Sequence, residues 1–152
     1  MKRVWLVLPV LLVWMLAPLP PSSKHAGAYN YTSHLMYCRT KLACLHEIGH
    51  RLDQQAGYIS QSPAFYKALQ MYLYTEMRKP RLTEMPADIL ELTYRDPDRT
   101  SSIKREIYAY LFAWAYGKPE LMPESLRGFY DWETARHLMN LLTPNQKLYW
   151  LN

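Results

Sequence analysis

The chain has 152 residues, 49% of them hydrophobic, with 18 basic and 13 acidic side chains and a formal net charge of +5. That size suits one compact domain with a real core and leaves no room for a second large one. Lys2, Arg3 and Lys24 supply three of the positive charges, so the chain after residue 28 carries only +2 and shows no basic stripe that would argue for nucleic acid as a partner.

Residues 1–28 differ from the rest. Lys2 and Arg3 make a short basic start, and Val4 to Leu19 is almost wholly apolar, with Pro9 and Pro18 inside it. This reads as a secretory signal, with Ala26-Gly27-Ala28 as a small-residue cleavage site before Tyr29. An uncleaved anchor through residues 4–19 is the rival reading, although about sixteen apolar residues fall short of the roughly twenty that a spanning helix needs. Either way the basic end stays inside, and the domain at 29–152 is expected to be extracytoplasmic, secreted or membrane-tethered.

Pro18 to Tyr31 reads as a linker or cleaved tail. Thr32 or Ser33 could cap a first helix that runs to Gln55, with Gly57 placed to stop it. Leu42, Leu45, Ile48 and Leu52 give this helix an apolar face. Within it stands His46-Glu47-Ile48-Gly49-His50, the pattern HExxH. Residues four apart share one helix face, so His46 and His50 can both present imidazole nitrogens to one metal ion. Glu47 can then reach a water at that ion and take its proton. The competing reading is two surface histidines on an ordinary helix. Cys38 and Cys44 precede the motif. A continuous helix would hold them about 9 Å apart, so a disulfide requires Cys38 to lie before the helix begins. Two free thiols packed as small apolar groups are the alternative.

Ser62-Pro63 signals a second helix to about Met77, with Phe65, Leu69, Tyr72 and Leu73 on one face. Residues 78–80 break it, and Pro86 to Thr93 offers a short third helix around Ile89, Leu90 and Leu92. Tyr94 to Thr100 is a polar loop. Ser101 or Ser102 caps the next helix, Ile103 to Tyr116, ended by Gly117. Met122-Pro123-Glu124 opens a short helix. Asp131 to Leu142 is a further one, with Trp132, Ala135, Leu138 and Met139 on its buried side. Thr143-Pro144 starts a last turn or helix. No stretch alternates strictly over six residues, so the expected fold is mainly α, with little or no β-sheet.

A catalytic zinc site needs a third protein ligand. Glu84, Asp88, Glu91 and Glu106 are the candidate acids on helices. Glu106 is best placed, near the start of a strongly apolar helix, where a buried carboxylate wants a cation. The plain alternative is a favourable acid in a helix's first turn. Asp53, three residues after His50, could hydrogen-bond near the ligands or steady the helix end.

Residues 46–58, HEIGHRLDQQAGY, resemble the HExGHxxDxxAGY motif of the anthrax lethal factor catalytic domain and the related Pro-Pro endopeptidases. That family's third ligand lies in a segment like ExFAxxF, to which Glu106-Ile107-Tyr108-Ala109-Tyr110-Leu111-Phe112 is similar. The resemblance covers roughly Ala43 to Leu142. It implies a compact zincin-like domain and a Zn2+-dependent endopeptidase with ligands His46, His50 and Glu106 and general base Glu47. It also implies a peptide or protein substrate, proline-rich if preference follows the family. Seven residues before the glutamate ligand the family carries a tyrosine that steadies the oxyanion; Arg99 stands there. Tyr94 and Tyr110 are the candidates to supply that hydroxyl, and Arg99 could itself stabilise negative charge. Tyr110 replaces an acid that the family places one turn after the ligand. A reading from another class is a non-catalytic, metal-stabilised module that binds a peptide or protein on the same scaffold.

Overall fold

The computed structural model describes residues 27–76, 101–143 and 146–151, apart from the side chains of Glu76, Ser101 and Trp150. The apolar leader, the expected helix at 86–93, the acids Glu84, Asp88 and Glu91, and Tyr94 and Arg99 lie outside the described residues. No helix among the described residues is long and apolar enough to cross a membrane.

Among the described residues, eight elements follow in chain order: β1 (Gly27–Tyr29), β2 (Leu35–Cys38), α1 (Lys41–Gln55), α2 (Pro63–Glu76), α3 (Ser101–Ala115), α4 (Glu124–Arg127), α5 (Trp132–Asn140) and β3 (Leu148–Trp150). Short 3-10 turns at Ile59–Gln61 and Pro119–Leu121 join the helices. The fold is mainly α, as expected, with a small sheet that the sequence reading did not place.

That sheet corrects two expectations. Thr32 and Ser33 do not cap a helix; they sit in the β1–β2 turn, where their backbone N–H groups both donate to Asn30 Oδ1 at 2.9 Å. This side-chain mimic of a turn is what Asn does well at such positions. The C-terminal stretch after Thr143, expected as a last turn or helix, contributes strand β3 at 148–150. Both pairings are antiparallel and the order is β1-β2-β3. Tyr29, Met36 and Tyr149 stand opposite one another across the three strands and are all buried. Cross-strand rows of this kind stabilise a sheet face. Three- and four-residue strands are too short to show an alternating pattern, which is why the sequence hid them.

With β2 ending at Cys38, helix α1 begins at Lys41. Thr40 caps it, its Oγ1 accepting from Ala43 N at 3.2 Å. Cys38 therefore precedes the helix, its Cα lies 5.1 Å from that of Cys44, and the two are disulfide-bonded. Gly57, at φ +70°, stops the helix as expected, and Tyr58 follows in the same left-handed region. Asp53 is fully buried and serves this turn, accepting from Ser60 N at 2.8 Å and from Ser60 Oγ at 2.7 Å. Of its two expected roles, it steadies the helix end.

Helix α3 forms the middle of the core, burying Ile107, Tyr108, Leu111 and Phe112. Tyr108 donates to the Phe129 carbonyl and Tyr130 donates to the Tyr108 carbonyl, so their buried hydroxyls are satisfied. Ser62 and Asp131 cap α2 and α5 through bonds from Phe65 N and Thr134 N. Leu42 departs from its expected core position: it is 65% exposed.

Helices α1 and α3 touch backbone to backbone at Gly49. A Cβ there would stand 2.7 Å from Ala109 Cα and 3.1 Å from Ala109 Cβ. Ala normally gains about 1 kcal/mol over Gly inside a helix. Gly49→Ala should nonetheless destabilise the protein, by about 1–3 kcal/mol, because backbone cannot give way as a side chain tip can. Urea unfolding of the two proteins checks this.

Candidate metal centre

Three side chains converge where α1 and α3 cross. His46 and His50 lie one turn apart on α1, and Glu106 comes from the second turn of α3, three residues before Ala109. The Nε2 atoms of His46 and His50 are 3.1 Å apart. Glu106 Oε2 is 3.1 Å from His46 Nε2, and Oε1 is 3.3 Å from His50 Nε2. Zinc–nitrogen and zinc–oxygen bonds of about 2.0–2.1 Å in a tetrahedron put neighbouring ligand atoms about 3.3 Å apart. The observed triangle therefore fits one face of such a site. Among the described residues this is the group of histidine, cysteine and acid side chains able to hold a metal ion.

Electrostatics agree with that donor set. Burial lowers the pKa of His46, which keeps its ring neutral and its lone pair available. Burial alone would raise the Glu106 carboxyl, but its hydrogen bonds with His46 and His50 outweigh this and hold it well below the usual carboxylate range. An ionised carboxylate beside the neutral His46 imidazole suits a divalent cation.

Glu47 stands beside this triangle and is 6% exposed. Burial pushes its carboxyl up to about 7, with His50 opposing the rise and Glu106 adding to it. Strand β1 presses on it: a Cβ on Gly27 would stand 2.7 Å from Glu47 Oε1. A larger residue at 27 would require the Glu47 side chain to shift. Gly27 and Ala28, which the sequence assigned to the leader, thus form part of the sheet and roof the acid.

The ligands open onto a cleft of about 580 Å³. Ala28, Tyr29, Tyr31, Thr40, Leu42 and Ala43 line it, and Tyr110 stands with Glu106 on α3. The Tyr110 ring lies 4.3 Å from the His46 ring, centroid to centroid. The structure thus brings together His46, Glu47, His50, Glu106 and Tyr110. Gly27, Tyr31 and Leu42 were missed as parts of the site. An isolated glycine or tyrosine before the motif carries no signal until the strands are known.

A scan of protein-family models, a search of curated proteins and a search of solved structures find no match to this chain.

The Glu47 carboxyl has a folded pKa of about 7 against 4.5 for a free side chain. A raised carboxyl favours the fold fully below the lower value, and that contribution is lost as pH climbs through the higher one. Without metal, Glu47→Gln should therefore be more stable than wild type at pH 8, by about 1–3 kcal/mol. The gap should close at pH 4, as denaturant unfolding in chelator at both pH values would reveal.

Proposed function

We propose that this protein is a zinc-dependent endopeptidase acting outside the cytoplasm. The observation that carries the reading is the triangle of His46, His50 and Glu106 ligand atoms, 3.1 to 3.3 Å on a side, with buried Glu47 next to it at the floor of an open cleft. The donor set of two imidazoles and one carboxylate is one that zinc takes in catalytic sites, with a position left for water or substrate. When bound there, zinc supplies a Lewis acid that polarises a peptide carbonyl and acidifies water.

The chain's own groups would do the rest. Glu47 takes the proton of the attacking water and passes it to the departing amine. A carboxyl poised near 7 suits both halves of that task, because it neither holds nor refuses a proton at neutral pH. Among the described residues, β1 pairs only with β2, so its other edge presents backbone groups beside the cleft. An extended peptide could add to that edge as a further strand. Tyr110 is the described candidate to donate a hydroxyl to the oxyanion, and Tyr94 is retained as the other. The apolar and aromatic cleft walls are compatible with proline-rich substrates, as the lethal factor and Pro-Pro endopeptidase resemblance suggests.

Export is supported by the apolar leader and by the Cys38–Cys44 disulfide, a bond that persists in oxidising compartments.

Incubating the purified protein with a peptide library, with and without chelator, tests the reading. Cleavage should appear, vanish on metal removal and return with zinc. Glu47→Gln should keep about one zinc per chain and lose cleavage by at least about a hundredfold. Equal cleavage by both forms would refute the assignment of Glu47. Zinc bound by the wild type without any cleavage would favour the non-catalytic peptide-binding reading.

A further inference from the structure

The two imidazoles of the metal centre are held in an unusual way. Ligating histidines commonly donate their second ring nitrogen to a carboxylate or carbonyl, which fixes the plane of the ring. Here Nδ1 of both His46 and His50 is buried and meets no hydrogen-bond partner among the described residues. What each ring meets is another aromatic ring. Tyr110 packs on His46, and Tyr31 packs on His50 at a centroid distance of 6.0 Å and an interplanar angle of 65°.

Tyr31 is itself held from several sides. Its carbonyl accepts from Gln54 Nε2 of α1 at 2.7 Å. Tyr29 meets its ring edge-on at 5.1 Å, and Tyr58 stands 6.2 Å away. The Arg105 guanidinium lies over the Tyr31 ring at 4.8 Å and over the Tyr58 ring at 5.5 Å. Arg105 is the residue before ligand Glu106. A cation over an aromatic face is attractive, more so when partly withdrawn from water. One contact chain thus runs from Glu106's neighbour on α3, through Tyr31 of the β1–β2 turn, to His50 on α1.

We propose that Tyr31, clamped by Arg105, is a positioning residue that sets the plane of the His50 imidazole toward the metal. Ring packing fills the role that an acceptor at Nδ1 fills elsewhere, and the phenol hydroxyl is not needed for it. The inference rests on the metal centre described above and adds a residue that the HExxH pattern does not contain.

Zinc competition titrations on the full chain test it, comparing wild type with Tyr31→Phe, Tyr31→Leu and Arg105→Gln. Tyr31→Phe keeps the ring and should bind zinc within about twofold of wild type. Tyr31→Leu should lose about tenfold or more, the usual cost of removing a group that orients a ligand. Arg105→Gln leaves Tyr31 in place and should fall between them, at about threefold. In the metal-free protein, imidazole 1H–15N spectra should show one ordered His50 ring in wild type and Tyr31→Phe, and a broadened one in Tyr31→Leu. Far-UV circular dichroism and the unfolding midpoint report whether each variant folds. If Tyr31→Leu does not fold, Arg105→Gln decides, and unchanged zinc affinity in it overturns the proposal. So does wild-type affinity in folded Tyr31→Leu, or an equal loss in Tyr31→Phe. A wild-type chain that binds no zinc would instead overturn the metal centre, and this inference with it.

Discussion

Two helices bring histidine and glutamate side chains from separate parts of a sequence to 3.1–3.3 Å of one another when their backbones run close together. Here that closeness comes from Gly49 of α1 lying directly on Ala109 of α3. Gly49 sits immediately before His50, and Ala109 lies almost one turn after Glu106. The contact point and the metal centre are therefore neighbours, and the glycine that lets the backbones touch also sets how far Glu106 must reach. Everything else in the site is arranged around that crossing. The apolar residues that flank it, Ile48, Leu52, Ile107 and Leu111, are all buried and hold it shut.

The polar groups near the crossing divide by what holds them. Asp53 is fully buried and answered by Ser60, so it belongs to the architecture of the turn after α1. Glu106 keeps 43% of its side chain exposed and meets both histidines, so it faces the cleft and the metal triangle together. Glu47 is buried under β1 and carries the raised pKa. Three acids within a small volume thus have three different environments. Separation of that kind lets one fold hold carboxyl groups of different proton affinity side by side.

How much of this the chain reveals by itself depends on the length scale of each signal. The span 46–50 and the helix around it could be read directly, because a period of 3.6 over fifteen residues repeats several times. Gly57 and Ser62 could be read for a related reason, since left-handed turns and caps have strong residue preferences. Glu106 needed more than spacing: position made it the best placed of four acids, and the resemblance added weight to it. The sheet was not legible. Its strands have three or four residues, and Gly27–Tyr29 looked like the tail of a leader. Missing the strands meant missing the site's far wall, and with it Tyr31, one of thirteen tyrosines with nothing local to distinguish it. Gly49 was visible as a glycine inside a helical pattern, which often marks a close packing contact, but its partner could be known only from the fold.

The position of Gly27 sets strand β1 directly against Glu47, whose proton affinity burial raises. Burial raises the carboxyl toward neutrality, and strand β1 is one of the elements packed against it. Peeling that strand away would expose more of the carboxylate to water and lower its proton affinity. The N-terminal arm is in this sense a tuning element for a group twenty residues further along the chain. Anything that pulls on or displaces the arm would change the surroundings of Glu47 first, since Gly27 lies against that carboxyl.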